Sequence, residues 1–261
     1  MFKINCSIFL LTTFLFVIIS ILLLSCTVFL GKNRKSININ SWACFYGEDS
    51  LNLSKLMNYD LVIMEPDISG YTPPIQGKTI YIGYISIGEA ESFRWYWPQV
   101  KDSDFLLWEN KNWKNDYLID IRSGVWQDIL IRQVIPHIIS KGFKGLFFDT
   151  IDTPIFLEEE NGQKFRGSTK ALVKFIRRVR KTFPDLILIS NNGLKAVSSF
   201  GKYMDLLVVE SLNTTYDFQD KKYKKADLSW RNVRLNHLNN FLEKHGNMPV
   251  LVIDYLDRDN H

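Results

Sequence analysis

The chain has 261 residues, 46% of them hydrophobic, and a formal net charge of +4 in which basic and acidic side chains are mixed along most of its length. That composition belongs to a globular protein with room for one large core or two small ones. It excludes a nucleic-acid binder, because the one dense basic run, Lys221-Lys-Tyr-Lys-Lys225, reads as a solvated helix face or loop. His137, His237, His245 and His261 are scattered without metal-ligand spacing, so neither a metal nor an organic cofactor is implied. Cys44 is the one thiol beyond the first thirty residues; it has no disulfide partner and reads as a buried, inert side chain.

The first thirty residues are of different material. Lys3 precedes a nearly unbroken apolar run from Ser7 to Leu30, long enough to cross a bilayer, and Gly31-Lys-Asn-Arg-Lys35 follows it. Within the run, Leu23-Leu24-Ser25-Cys26 is similar to a bacterial lipoprotein cleavage box, in which Cys26 is lipidated and becomes the new N-terminus. The other reading is an uncleaved signal anchor. The length of the run favours the anchor; the small residue before the cysteine and the basic cluster behind the run favour the lipoprotein. Both tether the protein to a membrane with its body outside the cytoplasm. The expected division is a leader or anchor over 1–30, a linker over 31–40 and one body over 41–261.

Beyond the linker, apolar runs recur at Trp42–Tyr46, Leu61–Met64, Ile80–Ile87, Gly145–Phe148, Leu186–Ile189, Leu206–Val209 and Val250–Ile253. Several are apolar throughout, as strands are when both faces of a parallel sheet are covered. Helical spacing appears between them. Val125 to Lys141 is stopped by Gly142 and carries Pro136 as a kink, and Ser168 to Phe183 places Leu172, Phe175, Ile176 and Val179 on one face. Ser168 is the expected cap of the second helix and Pro184 its exit. The βα repetition predicts an α/β fold, a (β/α)8 TIM-type barrel, with an open doubly wound sheet as the alternative. An eighth strand is not legible, since Asp254 to His261 follows directly on the seventh run. The expectation is an open barrel with two unpaired edges, or a shortened copy of a longer product.

Acids cluster where these runs stop. Asp149 ends the fourth in Gly142-Phe-Lys-Gly-Leu-Phe-Phe-Asp-Thr-Ile-Asp-Thr-Pro154, with Asp152 close behind it. Glu65 and Asp67 follow the second run, Glu89 and Glu91 the third, Glu210 the sixth and Asp254 the seventh. A barrel gathers these ends on one rim, where a carboxylate beside a buried edge is desolvated unless it meets a partner or a substrate. No Ser-His-Asp arrangement is legible, and Gly83-Tyr-Ile-Ser-Ile-Gly88 lacks the glycine spacing and following Lys-Ser of a phosphate loop. Two carboxylates are sufficient for glycoside hydrolysis. Glu89 and Asp254 are then expected to bind substrate, as are Tyr84, Trp95 and Trp97 by stacking on sugar faces, with core packing as the competing role of the rings. Asn191 and Asn192 offer amides to sugar hydroxyls, although Asn-Asn-Gly is also a turn signal. Asp120 and Arg122 read as a structural ion pair.

Taken in order, Gly83-Tyr84-Ile-Ser-Ile-Gly88-Glu89-Ala-Glu91, Arg94-Trp-Tyr-Trp97, the Gly142–Asp152 stretch, Asn191-Asn192-Gly193 and Val208-Val209-Glu210-Ser211 resemble glycoside hydrolase family 114, the endo-α-1,4-polygalactosaminidase-like proteins. The resemblance runs from about Trp42 to Tyr255. It implies a TIM-type barrel, cleavage of α-1,4-linked galactosamine-rich polysaccharide, and catalysis by an Asp after the fourth strand with a Glu after the sixth. Those roles fall on Asp149 as nucleophile and Glu210 as general acid/base, with Asp152 as rival for the first. The implied partners are a polysaccharide and a membrane, without nucleic acid or cofactor. Two alternatives stay open: a cell-surface carbohydrate-binding barrel without turnover, and a truncated fragment.

Overall fold

A computed structural model of the chain describes residues 37–47, 53–74, 77–246 and 248–256. The apolar run Ser7–Leu30, Cys26 and the expected leader or anchor lie outside them. Among the described residues no helix is long and apolar enough to cross a membrane.

All seven apolar runs form strands: β1 (Trp42–Phe45), β2 (Leu61–Met64), β3 (Ile80–Ser86), β4 (Gly145–Asp149), β5 (Ile187–Asn191), β6 (Leu206–Glu210) and β7 (Val250–Ile253). They pair in parallel in chain order, from β1 to β7. Their two faces bury different sets of residues because successive side chains alternate. Val62, Met64, Leu146, Phe148, Leu188, Leu207 and Val209 join the cluster packed under the helices. Leu61, Ile63, Ile82, Phe147, Ile189, Leu206 and Val208 form a second cluster, against which Trp42, Cys44, Leu251 and Ile253 also pack. That second cluster draws on every strand, so the sheet curls around its own inner face in the manner of a TIM-type barrel. Among the described residues the sheet has seven strands and no eighth.

The outer face is covered by α1 (Gly124–Ile129), α2 (Ile135–Ser140), α3 (Asp152–Glu160), α4 (Ser168–Thr182) and α5 (Leu228–His245). Between α1 and α2, Leu130–Val134 winds as a π-helix. Pro136 has no N–H to donate and its ring crowds the carbonyl four residues back; the wider turn just before it takes up that misfit, and the helix runs on to Ser140. Ser168 does not cap α4. The residue ahead of the first turn is Gly167 at φ +88°, while the Ser168 hydroxyl is buried without a partner. The cap comes instead from the end of α3, where the Glu158 carboxylate accepts from the N–H groups of Gly167 at 2.6 Å and Thr169 at 2.8 Å.

Two polar additions stand on the rim that were not expected. After β3, Glu89–Glu91, Leu106–Glu109 and Asp116–Ile119 form a small antiparallel sheet. After β6, Thr214–Asp217 and Lys222–Lys225 form a hairpin, so the basic run is a strand, with Lys222 and Lys224 paired to Asp220 and Asp217.

Candidate active site

The inner face of the sheet changes character one step beyond the apolar cluster. Advancing two residues along each strand turns Cys44 into Tyr46, Ile63 into Glu65, Ile82 into Tyr84, Phe147 into Asp149, Ile189 into Asn191, Val208 into Glu210 and Ile253 into Tyr255. The period of two aims all seven toward the interior at the carboxyl ends of the strands. An apolar plug is thereby topped by a polar layer.

Within that layer one amide joins the two predicted catalytic acids. Asn191 Nδ2 donates to Asp149 Oδ1 at 2.9 Å and to Glu210 Oε2 at 2.5 Å. The two carboxylate oxygens can therefore be no farther apart than those two bonds laid end to end. Each acid also has its own tyrosine: the Tyr84 hydroxyl bonds Asp149, and the Tyr255 hydroxyl donates to Glu210 Oε1. The Tyr46 ring meets Tyr84 edge-on at 5.5 Å. Burial pushes the Asp149 carboxyl up to about 6; the Asn191 bond lowers it and the neighbouring Glu210 charge raises it.

The turns that follow these residues are unusual. Thr150, Asn192 and Ser211, each directly after a strand end, have φ of +56°, +57° and +57°. The left-handed region is costly for a β-branched residue, and Thr150 is compensated by its hydroxyl, which accepts from Ile87 N at 3.0 Å and Gly88 N at 2.8 Å. Gly88 is required there, because a Cβ would lie 2.4 Å from the Thr150 carbonyl oxygen. Asn192 and Ser211 are held by one cation. Arg234, on α5, donates to Asn192 Oδ1, to the Glu210 carbonyl at 2.9 Å and to the Ser211 carbonyl at 3.2 Å. Asn192 Oδ1 in turn accepts from Glu210 N at 3.0 Å, so Arg234 ties β5 and β6 together where Asn191 and Glu210 stand.

The other predicted site residues have separate environments. Glu89 is buried and accepts from Thr153 at 2.5 Å and Asn110 at 2.9 Å. Beside it, burial and then the Glu89 and Glu91 charges push the Asp116 carboxyl up to about 8. Asp152 begins α3, where its Oδ1 accepts from Gly193 N at 3.1 Å, outside the Asn191 network. Trp95 stands against His137 and Tyr96, and Trp97 against Tyr117. Asp254 accepts from Asn213 and Thr214, pinning the base of the rim hairpin to the end of β7. Asn192 faces the backbone of β6 through the bonds above. Asp120 and Arg122 form the expected ion pair at 2.6 Å. Cys44 is half-buried, and burial pushes its thiol up to about 11, which leaves it protonated and unreactive.

Sequence reasoning passed over Tyr46, Tyr255 and Arg234. The two tyrosines carry a legible signal, the continuation of the period of two past Cys44 and Ile253. Arg234 carries none, because its position on a polar helix is indistinguishable from that of its solvent-facing neighbours. A groove of about 820 Å³ opens between the start of α3 and the rim sheet, with Glu89, Trp108, Asn110, Asp152, Phe156 and Lys164 in its lining and neither Asp149 nor Glu210 among it. Among the described residues no group of His, Cys, Asp and Glu has an arrangement that would hold a metal ion.

Comparison with known proteins bears on the family and the fold. A sequence profile of glycoside-hydrolase family GH114 matches residues 71–261. An uncharacterized protein of Methanocaldococcus jannaschii is 31% identical over 191 residues, covering 68% of this chain and 52% of its own length. The chain spans between 39% and 53% of the length of the curated relatives it matches. Among solved structures, the glycoside hydrolase domain of PelA from Pseudomonas aeruginosa superposes with a TM-score of 0.72 at 24% identity, over 85% of this chain and 86% of that one. Aspergillus fumigatus Ega3 in complex with galactosamine superposes with a TM-score of 0.64 at 18% identity, over 88% of this chain and 83% of that one. At these identities the structural likeness is one of fold.

Proposed function

Because the chain belongs to glycoside-hydrolase family GH114, we propose that Asp149 and Glu210 together hydrolyse the glycosidic bonds of a galactosamine-rich polysaccharide by a retaining mechanism. The observation that carries the reading is the single Asn191 amide bonded to both acids. It keeps the two bonded oxygens within two hydrogen-bond lengths of each other, which favours the roughly 5–5.5 Å of retaining enzymes over the ~6.5–9.5 Å that leaves room for a water in inverting ones. Asp149 attacks the anomeric carbon while Glu210 gives its proton to the departing glycosidic oxygen, leaving a glycosyl ester on Asp149. Glu210, now a carboxylate, takes a proton from water; the hydroxide attacks the same carbon, the ester bond breaks and Asp149 is restored. The Tyr84 and Asn191 bonds steady Asp149 as its charge is consumed and regenerated. A carboxyl titrating near 6 is ionised at neutral pH, as a nucleophile must be.

The substrate class is supported by the galactosamine named with the Ega3 structure and by the surplus of carboxylates on this rim, which suits a polymer bearing ammonium groups. The extracytoplasmic location and the membrane tether are supported by the apolar run Ser7–Leu30 and the Leu23-Leu24-Ser25-Cys26 box. The test is a reducing-end assay on α-1,4-linked polygalactosamine, with NMR of the first-formed anomer. Wild type is expected to release α-anomers, and Asp149→Asn and Glu210→Gln to lose about a thousandfold or more in rate. Inverted product would remove the retaining mechanism, and full activity in either variant would remove the assigned pair.

A further inference from the structure

A continuous line of aromatic rings leads outward from Glu210. Tyr255, whose hydroxyl donates to that acid, stacks on Tyr223 with ring centroids 6.3 Å apart and 16° between planes. Tyr223 meets Tyr216 at 5.1 Å, Tyr216 meets Phe218 at 5.1 Å, and Phe218 meets Trp113 at 5.6 Å. Three separate segments supply these rings: the residues after β7, the hairpin after β6, and the loop before the strand Asp116–Ile119. None of the five belongs to a core cluster. Trp113 is 61% exposed and Phe218 42%.

One exposed aromatic is ordinary, but a self-contacting row outside the core is a surface made for a partner. Its footing is firm, because Asp254 holds Asn213 and Thr214 and the Thr214 hydroxyl accepts from Tyr255 N at 3.0 Å. The exposed rings of the row suit a pyranose, whose C–H faces are apolar while its hydroxyl edge stays in water. Tyrosine offers a face and a polar tip to the same ligand.

We propose that this row binds the sugars on the leaving-group side of the scissile bond. The inference rests on the reading of Asp149 and Glu210 as the hydrolytic pair and adds the direction in which the polymer lies. The row starts at Glu210, the group that protonates the departing oxygen, so the chain released in the first step runs along Tyr255, Tyr223, Tyr216 and Phe218. Trp113 reaches Phe218 from a loop that follows β3, while the hairpin follows β6; the two segments that flank β4 and β5 in the sheet meet at this contact. The far end of the row is thereby bounded.

The experiment compares the full chain with a Phe218→Ala/Tyr223→Ala double variant and with Trp113→Ala, on α-1,4-galactosamine oligomers of increasing length. In wild type kcat/KM should rise with length. In the double variant the ratio between long and short substrates should fall about tenfold, through KM, as expected for two lost ring contacts. In parallel, affinity electrophoresis through gels containing polygalactosamine, chitosan or galactan reads binding without turnover, using Glu210→Gln as the background. Retardation by at least one polymer that the double substitution abolishes supports the row, even where wild type cleaves nothing and the hydrolytic reading falls. An unaltered length dependence overturns the proposal, as does equal loss on short and long substrates, or no retardation by any polymer. A dimer in sedimentation that the double substitution dissolves also overturns it, by assigning the row to a second copy of the chain.

Discussion

Glu65 and Glu91 share the guanidinium of Arg94, whereas Asp149 and Glu210 share only the neutral amide of Asn191. Both pairs stand on the same rim, supplied by the carboxyl ends of strands or by the loops directly after them. In the first, Arg94 makes four bonds of 2.6 to 3.1 Å, and its one positive charge is shared by the two acids. Such acids are spent on structure. In the second, the amide holds the two acids in place with no cation between them, so the Asp149 charge remains for the positive charge that develops at an anomeric carbon. The chemistry of a carboxylate is decided by what bridges it to its neighbour.

That contrast can be broken from either side. The largest effect is expected at Arg94→Met, which leaves two acids unpaired: about 3–5 kcal/mol of stability should be lost in urea unfolding, with partial recovery when Glu65→Gln and Glu91→Gln are added. A loss under about 1 kcal/mol would place Arg94 outside the structural role given to it. Asp149→Asn should act in the opposite direction. The folded protein binds the Asp149 proton more tightly than the unfolded chain does, so this group's contribution to stability is fully present below 3.8, declines as pH rises and is gone above about 6. The amide variant should then be more stable than wild type by about 2–3 kcal/mol at pH 7 and equal to it below pH 4. A variant less stable at both pH values would contradict the raised carboxyl.

Asn191→Ala sharpens the comparison further. Without the bridging amide, kcat should fall about tenfold, and the acid limb of kcat/KM, expected near pH 6, should move upward because a bond that lowers the Asp149 carboxyl is gone. If instead the basic limb is the one that moves upward, Asp149 works as the proton donor. The smallest effect belongs to the exposed pair Asp120 and Arg122, where Arg122→Ala should cost about 0.2–1 kcal/mol and leave the pH profile where it was.

Much of the barrel could be read from the chain because a parallel strand covered on both faces must be apolar at nearly every position, and such runs are conspicuous. Leu61–Met64 and Val250–Ile253 have the bounds their composition predicts, and β4 to β6 each extend past the apolar run to take in Asp149, Asn191 and Glu210. The rim sheet after β3 and the hairpin after β6 were not legible. Their strands are only three or four residues long, and the buried residues among them, Glu89, Ala90, Glu91, Leu118 and Ile119, show neither a continuous apolar run nor a clean alternation. Ser168 misled for a related reason: serine at a helix start is a local signal, and the bonds that cap α4 come from Glu158, whose approach only the packing of α3 decides.

The sequence by itself determined that seven apolar strands end in polar residues and that Asp149 and Glu210 are among them, because burial and the period of two act on each segment locally. Only the tertiary structure decided which acids meet a cation and which are bridged by a neutral amide. Glu65 meets Arg94, Asn191 reaches Asp149 and Glu210, and Arg234 reaches Asn192 across 42 positions of chain. Partnership between side chains so distant depends on the curl of the sheet and the seating of α5, which no single stretch of residues specifies.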